Sequence, residues 1–165
     1  MVKNTGPYNE FVSKFIEDKN IKSVVDLGCG DWQSSWIIYD HLHHVDYVGI
    51  DCVESVINTN KMRHPRHKFI SMDFISNAES IPSGDLCVIK DVLQHLTCQE
   101  IRDALDAVIK KFKYVMITNC CDQTVDNQEE PYRSRFLSAN FLPLRAYSPV
   151  IHLKYWTKEV SVITT

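Results

Sequence analysis

Three aspartates recur at the ends of short apolar runs in the first half of the chain. They are Asp26, Asp51 and Asp73, and the runs before them are rich in Val, Ile and aromatic residues. A single aspartate at the end of a strand is often only a turn former. Because the carboxyl ends of parallel strands face one crevice, three such carboxylates in succession indicate a shared ligand-binding edge.

A glycine-punctuated turn follows the first aspartate, in the stretch 24–33, which reads VVDLGCGDWQ. Gly28 and Gly30 carry no Cβ and can bring backbone N–H groups close to a ligand. Gln33 stands where a dinucleotide-binding turn would have a third glycine, which argues against a nicotinamide or flavin. A carboxylate just before the turn instead suits a cofactor with a cationic amino-acid portion, such as S-adenosylmethionine. Asp51, about 20 residues further on, has the spacing of a ribose-binding carboxylate.

Alternating strand and helix patterns would position these residues. The clearest helix spans 101–112, where the apolar side chains follow the helical period. We predict a Rossmann-like α/β fold: a seven-stranded, mostly parallel sheet with one antiparallel strand and helices on both faces. In chain order, we predict helices over 8–18, 34–43, 54–63 and 101–112, and strands over 21–27, 47–50, 68–72, 85–89, 114–118, 150–156 and 159–164.

The segment 119–145 is irregular and polar, with one short helix predicted over 133–140. Long connections of this kind often form lids or binding loops. Tyr132, Arg133 and Arg135 lie in it and could recognise an anionic or sugar substrate, although arginines in polar loops are usually only solvated.

The composition is that of one globular domain over residues 1–165. The formal net charge of -3 disfavours non-specific attraction to a polyanion. The six cysteines contain no CxxC pair, which indicates reduced thiols. Neither a signal peptide nor an apolar run long enough to cross a bilayer is visible. We therefore expect a soluble, cytoplasmic protein without membrane attachment.

With these residues in place, the chain resembles the class I S-adenosylmethionine-dependent methyltransferases. The similarity runs through five motifs in order: VVDLGCGDWQ, YVGIDCVESVI, HKFISMDFI, DLCVIKDVLQHL and YVMITN. It is most similar to a group of small, largely uncharacterised methyltransferases that share DLGCGDWQ and DVLQHL. The resemblance implies the fold and the cofactor, S-adenosylmethionine, with S-adenosylhomocysteine as product.

The resemblance also implies roles for the first two motifs. Asp26 would help to hold the methionine ammonium through water, and the backbone of Gly28, Cys29 and Gly30 would lie against the cofactor. Asp51 would accept hydrogen bonds from both ribose hydroxyls, because a carboxylate offers two oxygens to two adjacent donors.

Later residues complete the cofactor set implied by the resemblance. Asp73 would accept from the adenine amino group, and Phe74 would flank the ring. Lys90 and Asp91 would approach the methionine end and the incoming substrate. Two further residues are included as cofactor neighbours, Cys52 and Trp32, and Trp32 could either line the cofactor mouth or anchor a helix.

Methyl transfer from a sulfonium is an in-line displacement, so positioning can supply most of the catalysis. A general base is needed only if the acceptor loses a proton. Lys90, Asp91 and His95 are the catalytic candidates, with His95 and Asp91 as possible bases for a hydroxyl. The alternatives are a structural role for His95 and a helix cap for Asp91.

A histidine cluster, His41, His43 and His44, raises the question of a metal. Histidines near a helix C-terminus are favourable without one, and paired ligand spacing is missing, so we predict no metal site.

Three functions remain open. The first is O-methylation of a small molecule or saccharide, favoured by a short chain with no recognition domain. The second is methylation of nucleic acid such as RNA, which the net charge disfavours. The third is a cofactor-binding but inactive partner subunit. The segment 130–137 departs from the pattern of the resembling group, and the oligomeric state stays open.

Overall fold

The computed structural model describes residues 5–127 and 136–165, and its central element is a twisted sheet with helices on both faces. Among the described residues, the connections contain three short 3-10 helices, Ala78–Ser80, Leu93–His95 and Leu144–Tyr147. The main elements are α1 (Gly6–Asp18), β1 (Ser23–Leu27), α2 (Trp36–Tyr39), β2 (Asp46–Asp51), α3 (Glu54–Arg63), β3 (Lys68–Ser71), β4 (Gly84–Lys90), α4 (Cys98–Val108), β5 (Phe112–Cys120), β6 (Val150–Tyr155) and β7 (Lys158–Thr164).

The strand order is β3-β2-β1-β4-β5-β7-β6. The pairs β1–β2, β1–β4, β2–β3 and β4–β5 are parallel, whereas β7 pairs antiparallel with both β5 and β6. The predicted seven-stranded sheet with one antiparallel strand is therefore confirmed. Chain order reverses between β1 and β4, and a crevice opens at such a switch point in doubly wound sheets.

Both faces of the central strands are covered, which explains their nearly continuous apolar sequence. One side of the sheet packs Val24 and Val88 against α1, where Val12 and Ile16 are fully buried. The other side packs against α4, whose buried residues recur at helical spacing: Ile101, Ala104, Leu105 and Val108.

The helix α4 begins before the predicted residue 101 because a capping box starts it. Thr97 Oγ1 accepts from the Glu100 amide, and Glu100 Oε2 accepts from the Thr97 amide. This reciprocal pair satisfies two of the N–H groups that a helix start leaves open.

The helix predicted over 34–43 is wrong in length: only Trp36–Tyr39 is helical. The chain then turns through i to i+3 hydrogen bonds, from the Leu42 amide to Tyr39 and from the Val45 amide to Leu42. Both apolar side chains are buried by these turns as the chain approaches β2, so burial that a helix would have provided is achieved without one.

The short helix predicted over 133–140 is also wrong where it can be compared. Residues 133–135 lie outside the described part of the chain, and 136–140 are not helical. The amides that a helix would use are bonded elsewhere: Leu137 donates to the Cys120 carbonyl, Ser138 to Gln123 Oε1 and Ala139 to Glu159 Oε1. Contacts with β5 and β7 therefore replace the local pattern.

Within residues 5–127 and 136–165, no helix combines the length and apolar character needed to cross a membrane.

Replacing the capping residue should destabilise the fold without touching the crevice. We expect Thr97→Ala to lower the free energy of unfolding by about 1 kcal/mol, because one N-cap hydrogen bond is lost. Urea unfolding followed by circular dichroism measures this. The matched control is Thr59→Ala, since the exposed Thr59 hydroxyl only donates to the Ser55 carbonyl within α3; an equal loss in both variants would contradict the capping role.

Candidate functional site

A cavity of about 480 Å³ lies at the carboxyl ends of the central strands. That volume falls in the range of small-molecule sites. The cavity is lined by all twelve residues that the sequence predicts for cofactor binding or catalysis: Asp26, Gly28, Cys29, Gly30, Trp32, Asp51, Cys52, Asp73, Phe74, Lys90, Asp91 and His95. Seven lining residues were not selected, and they are neighbours of the motifs: Asp31, Gln33, Ser34, Ser35, Ile75, Val92 and Leu96.

The glycine turn after β1 depends on conformations that favour glycine. Gly28 has φ +77 and Gly30 has φ +56. A Cβ on Gly28 would lie 2.2 Å from Val92 Cγ2, whereas a Cβ on Gly30 would meet nothing within 4 Å. Gly28 is therefore required for space and conformation, and Gly30 for conformation while its outer side remains open.

The turn is fixed to the end of β2 by hydrogen bonds. The amides of Gly28 and Cys29 donate to the Ile50 carbonyl, at 2.7 and 3.0 Å. Asp51 Oδ2 accepts from the Gly30 amide at 3.0 Å, and Oδ1 accepts from the Val53 amide at 2.9 Å. Asp51 is thus held against the turn, with lone pairs left for further donors.

Asp26 is a nearly buried carboxylate, with 5% of the residue exposed. The Tyr47 hydroxyl donates to its Oδ2 at 2.7 Å. Burial raises the pKa of Asp26 to about 6, although the Tyr47 hydrogen bond and the Lys90 charge oppose this shift. The site therefore keeps an acidic group whose ionised form is short of partners.

Trp32 supports this carboxylate from behind. Only 1% of the residue is exposed, and its indole N–H donates to the Tyr47 hydroxyl at 2.8 Å. The centroid of its ring is 4.4 Å from that of the His64 ring and 4.7 Å from that of the His67 ring. Of the two roles considered for Trp32, this burial favours anchoring.

Lys90 and Asp91 lie together at the end of β4. Lys90 Nζ is 2.9 Å from Asp91 Oδ2, and Lys158 Nζ donates to the other oxygen, Oδ1. Burial disfavours the Asp91 carboxylate, but the Lys158 hydrogen bond and the Lys90 charge outweigh it and hold its pKa below the ordinary value. Lys158 was missed in the sequence because nothing local marks it; the β6–β7 hairpin brings it to the Asp91 carboxylate.

Asp73 follows β3 and shapes the next turn. Its Oδ1 accepts from the Ile75 amide at 3.0 Å, and its Oδ2 accepts from the Ser76 hydroxyl at 2.7 Å. These hydrogen bonds lower the pKa of Asp73, and the one from the Ser76 hydroxyl has the largest effect. The next residue, Phe74, is 7% exposed and forms apolar wall beside it.

His95 ends the 3-10 helix Leu93–His95 and is exposed at the crevice. The two preceding residues, in contrast, pack into the protein: Leu93 is fully buried, and Gln94 Oε1 accepts from the Cys120 amide at 3.4 Å. The imidazole therefore does not serve as a core side chain.

The histidine cluster lies elsewhere, between α2 and β2. His43 contacts Arg66, and His67 pairs with Asp40 at 2.9 Å. Within the described ranges, no group of three or more His, Cys, Asp or Glu side chains could hold a metal ion. The loop candidates Tyr132, Arg133 and Arg135 lie outside the described residues.

Comparisons with solved structures find the same fold. The methyltransferase domain of bacterial CtHen1 matches with TM-score 0.73 and 15% identity, covering 96% of this chain and 97% of that one. Human N-acetylserotonin methyltransferase, solved with S-adenosylmethionine, matches with TM-score 0.70 and 13% identity, and the match covers 95% of this chain and 51% of that one. An O-methyltransferase family protein from Burkholderia thailandensis matches with TM-score 0.69 and 14% identity, and the match covers 97% of this chain and 55% of that one. This chain thus spans about half the length of the human and Burkholderia proteins.

Sequence comparison gives the family. No curated protein matches significantly, but a family model described as "Methyltransferase domain" matches residues 18–159, which is most of the 165-residue chain. The sheet order and the crevice at its switch point agree with that match. The chain therefore belongs to the methyltransferase domain family, with the Rossmann-like fold of the class I S-adenosylmethionine-dependent enzymes.

Proposed function

We propose that this chain transfers the methyl group of S-adenosylmethionine to an oxygen of a small molecule or saccharide, and that the crevice beside β1 holds the cofactor. The observation that carries the proposal is the pairing of opposite charges there: the nearly buried Asp26 carboxylate lies near the Lys90 ammonium. The amino-acid end of the cofactor is a zwitterion, so each of its charges meets an opposite one.

The residues fit the cofactor from one end to the other. Asp26 would bind the ammonium, directly or through water, and Lys90 the carboxylate. The backbone of Gly28, Cys29 and Gly30 would lie along the chain that leads to the nucleoside. Because the Asp51 carboxylate is already fixed by the Gly30 and Val53 amides, it would accept from the two ribose hydroxyls without losing side-chain entropy on binding.

The adenine would lie between β2 and β3. Phe74 and Ile75 offer apolar contact to the ring, and Cys52 lies at the same wall. Asp73 would accept from the adenine amino group with the lone pairs that its own turn leaves free.

When bound, S-adenosylmethionine supplies an electrophilic methyl group on a sulfonium. The chain must then hold the acceptor oxygen in line and remove its proton. His95 suits this base role better than Asp91, because its imidazole is exposed at the crevice, where it can accept a proton from a hydroxyl. Two lysines bind the Asp91 carboxylate and lower its pKa, which favours a role in positioning the end of β4 against β7.

Oxygen as the acceptor atom is supported by the similarity to an O-methyltransferase family protein. A small acceptor is supported by the net charge of -3, which disfavours a polyanion.

Incubation with methyl-labelled S-adenosylmethionine and fractionated cell extract tests the reaction. We expect label in a small-molecule or saccharide fraction, and about 100-fold less label with His95→Gln, since a general base contributes at least that factor. The control is His44→Gln, an exposed histidine before β2. Label in polymer that nuclease digests would contradict the proposal, as would cofactor binding without label in any fraction.

Asp51→Ala tests the ribose assignment. We expect S-adenosylmethionine to bind at least about 100-fold more weakly by calorimetry, because two charge-assisted hydrogen bonds of about 1.5–3 kcal/mol each are lost. Asp46→Ala is the matched control, since Asp46 is an exposed aspartate at the other end of the same strand. Unchanged affinity in Asp51→Ala would show that the ribose is bound elsewhere.

Cofactor binding should depend on pH through Asp26. Its pKa is raised by burial to about 6, so protonation below that pH removes the charge that meets the ammonium. We expect about tenfold weaker binding at pH 5 than at pH 7.5. Calorimetry across this range measures the effect, and Asp26→Asn should flatten the profile.

The stability of the cofactor-free protein should change in the opposite direction. A raised pKa means that the folded chain keeps a proton that the unfolded chain releases, so this group adds stability as pH falls from about 6 toward 4. Urea unfolding of the wild type and Asp26→Asn isolates that contribution; a parallel pH profile in both proteins would contradict the assignment.

A further inference from the structure

Tyr47 lies behind the crevice, between the Trp32 indole and the Asp26 carboxylate. The indole donates to the Tyr47 oxygen at 2.8 Å, and the Tyr47 oxygen is 2.7 Å from Asp26 Oδ2. An indole N–H can only donate, so the Tyr47 oxygen accepts that bond and its single proton goes to Asp26. The direction of the hydrogen bonds is therefore fixed by chemistry.

The phenol ring of Tyr47 is itself immobilised. It is 4% exposed and packs against four other rings, with its centroid 4.4 Å from that of Tyr39, 5.3 Å from Trp32, 5.7 Å from His67 and 6.1 Å from Phe69. Such packing restricts the side chain to one orientation. The hydroxyl thus presents a fixed donor to the carboxylate.

Only one oxygen of Asp26 is engaged in this way. In the part of the chain that the structure describes, Tyr47 is the sole hydrogen-bond donor to the Asp26 side chain, and Oδ1 has none. Tyr47 does not line the crevice, whereas Asp26 does. A carboxylate held by Oδ2 keeps Oδ1 available to a ligand.

We infer that Tyr47 is a positioning residue for cofactor recognition: it fixes the Asp26 carboxylate so that Oδ1 receives the ammonium of S-adenosylmethionine, and Trp32 orients Tyr47. The inference rests on the proposed function, since it assigns the ammonium to Asp26. It explains why the tryptophan of the GCGDWQ motif is buried although the motif is a ligand-binding turn.

Other groups around Asp26 also influence its charge. The basic one is Lys90 at the end of β4, and the acidic one is Asp51 at the end of β2. The remaining titratable neighbours come from α1, α2, the glycine turn and β4, and all have a raised pKa because of burial: Tyr8, Tyr39, Cys29 and Cys87. These four groups stay neutral at the pH values of the test. Two histidines also pack on the rings behind Asp26, His67 on Tyr47 and His64 on Trp32, and both are present in every variant compared.

The test compares two ligands that differ in the amino-acid portion. S-adenosylmethionine carries the ammonium, whereas 5′-methylthioadenosine retains the nucleoside and lacks it. With Tyr47→Phe, we expect S-adenosylmethionine to bind about five- to tenfold more weakly at pH 7.5, since the hydrogen bond to a charged group is lost. Binding of 5′-methylthioadenosine should change by less than about twofold, because its contacts lie at Asp51 and Asp73.

The pH profile gives a readout that a purely structural role would not move. The Tyr47 hydrogen bond favours the Asp26 carboxylate, so its loss should shift the fall in S-adenosylmethionine affinity toward higher pH. Trp32→Phe, which removes the indole donor to Tyr47 together with part of a buried ring, should produce a smaller shift in the same direction.

Tyr39→Phe is the matched control. Tyr39 is a buried tyrosine that packs on Tyr47, and its hydroxyl makes no hydrogen bond to Asp26 among the residues described. Equal losses for both ligands in Tyr47→Phe, or equal effects of Tyr39→Phe and Tyr47→Phe, would overturn the inference. Failure of the wild type to bind either ligand would instead overturn the proposed function.

Discussion

The carboxylate of Asp26 is the constraint on which the rest of the site depends. It lies at the end of the central strand with 5% of the residue exposed, where ionisation is costly. The Tyr47 hydrogen bond and the Lys90 charge recover part of that cost, and the pKa still remains near 6. In the proposed function, a bound cation would remove the residual cost, so the same burial that disfavours the Asp26 carboxylate in the free protein would favour a cationic ligand.

The glycine turn links this carboxylate to the second one. Asp51 accepts from the Gly30 amide, and the Gly28 and Cys29 amides donate to the Ile50 carbonyl, so β1 and β2 meet through the turn itself. The two carboxylates that would hold the ammonium and the ribose of the cofactor are therefore parts of one hydrogen-bonded unit. Such a unit is formed before the ligand arrives, which lowers the entropy lost on binding.

The acceptor side is built differently. Asp91 has φ +60 and bridges Lys90 to Lys158, so its carboxylate joins the end of β4 to the start of the hairpin strand β7. An aspartate held in this way orders the edge of the crevice, where the nearby His95 is exposed. In the proposed function, the cofactor would therefore be held by the ends of β1 to β3 together with Lys90 of β4, whereas His95, after β4, would face the acceptor.

The sequence by itself determined the sheet class and which strand-end residues line the crevice, because strand periodicity, the glycine turn and the strand-end aspartates are local patterns. It missed Tyr47 and Lys158, whose partners lie 21 and 67 residues away. It also predicted helix where the amides of 137–139 bond to other elements instead. Only the tertiary structure decided these points, because a side chain's role in a site depends on which distant residues packing places beside it.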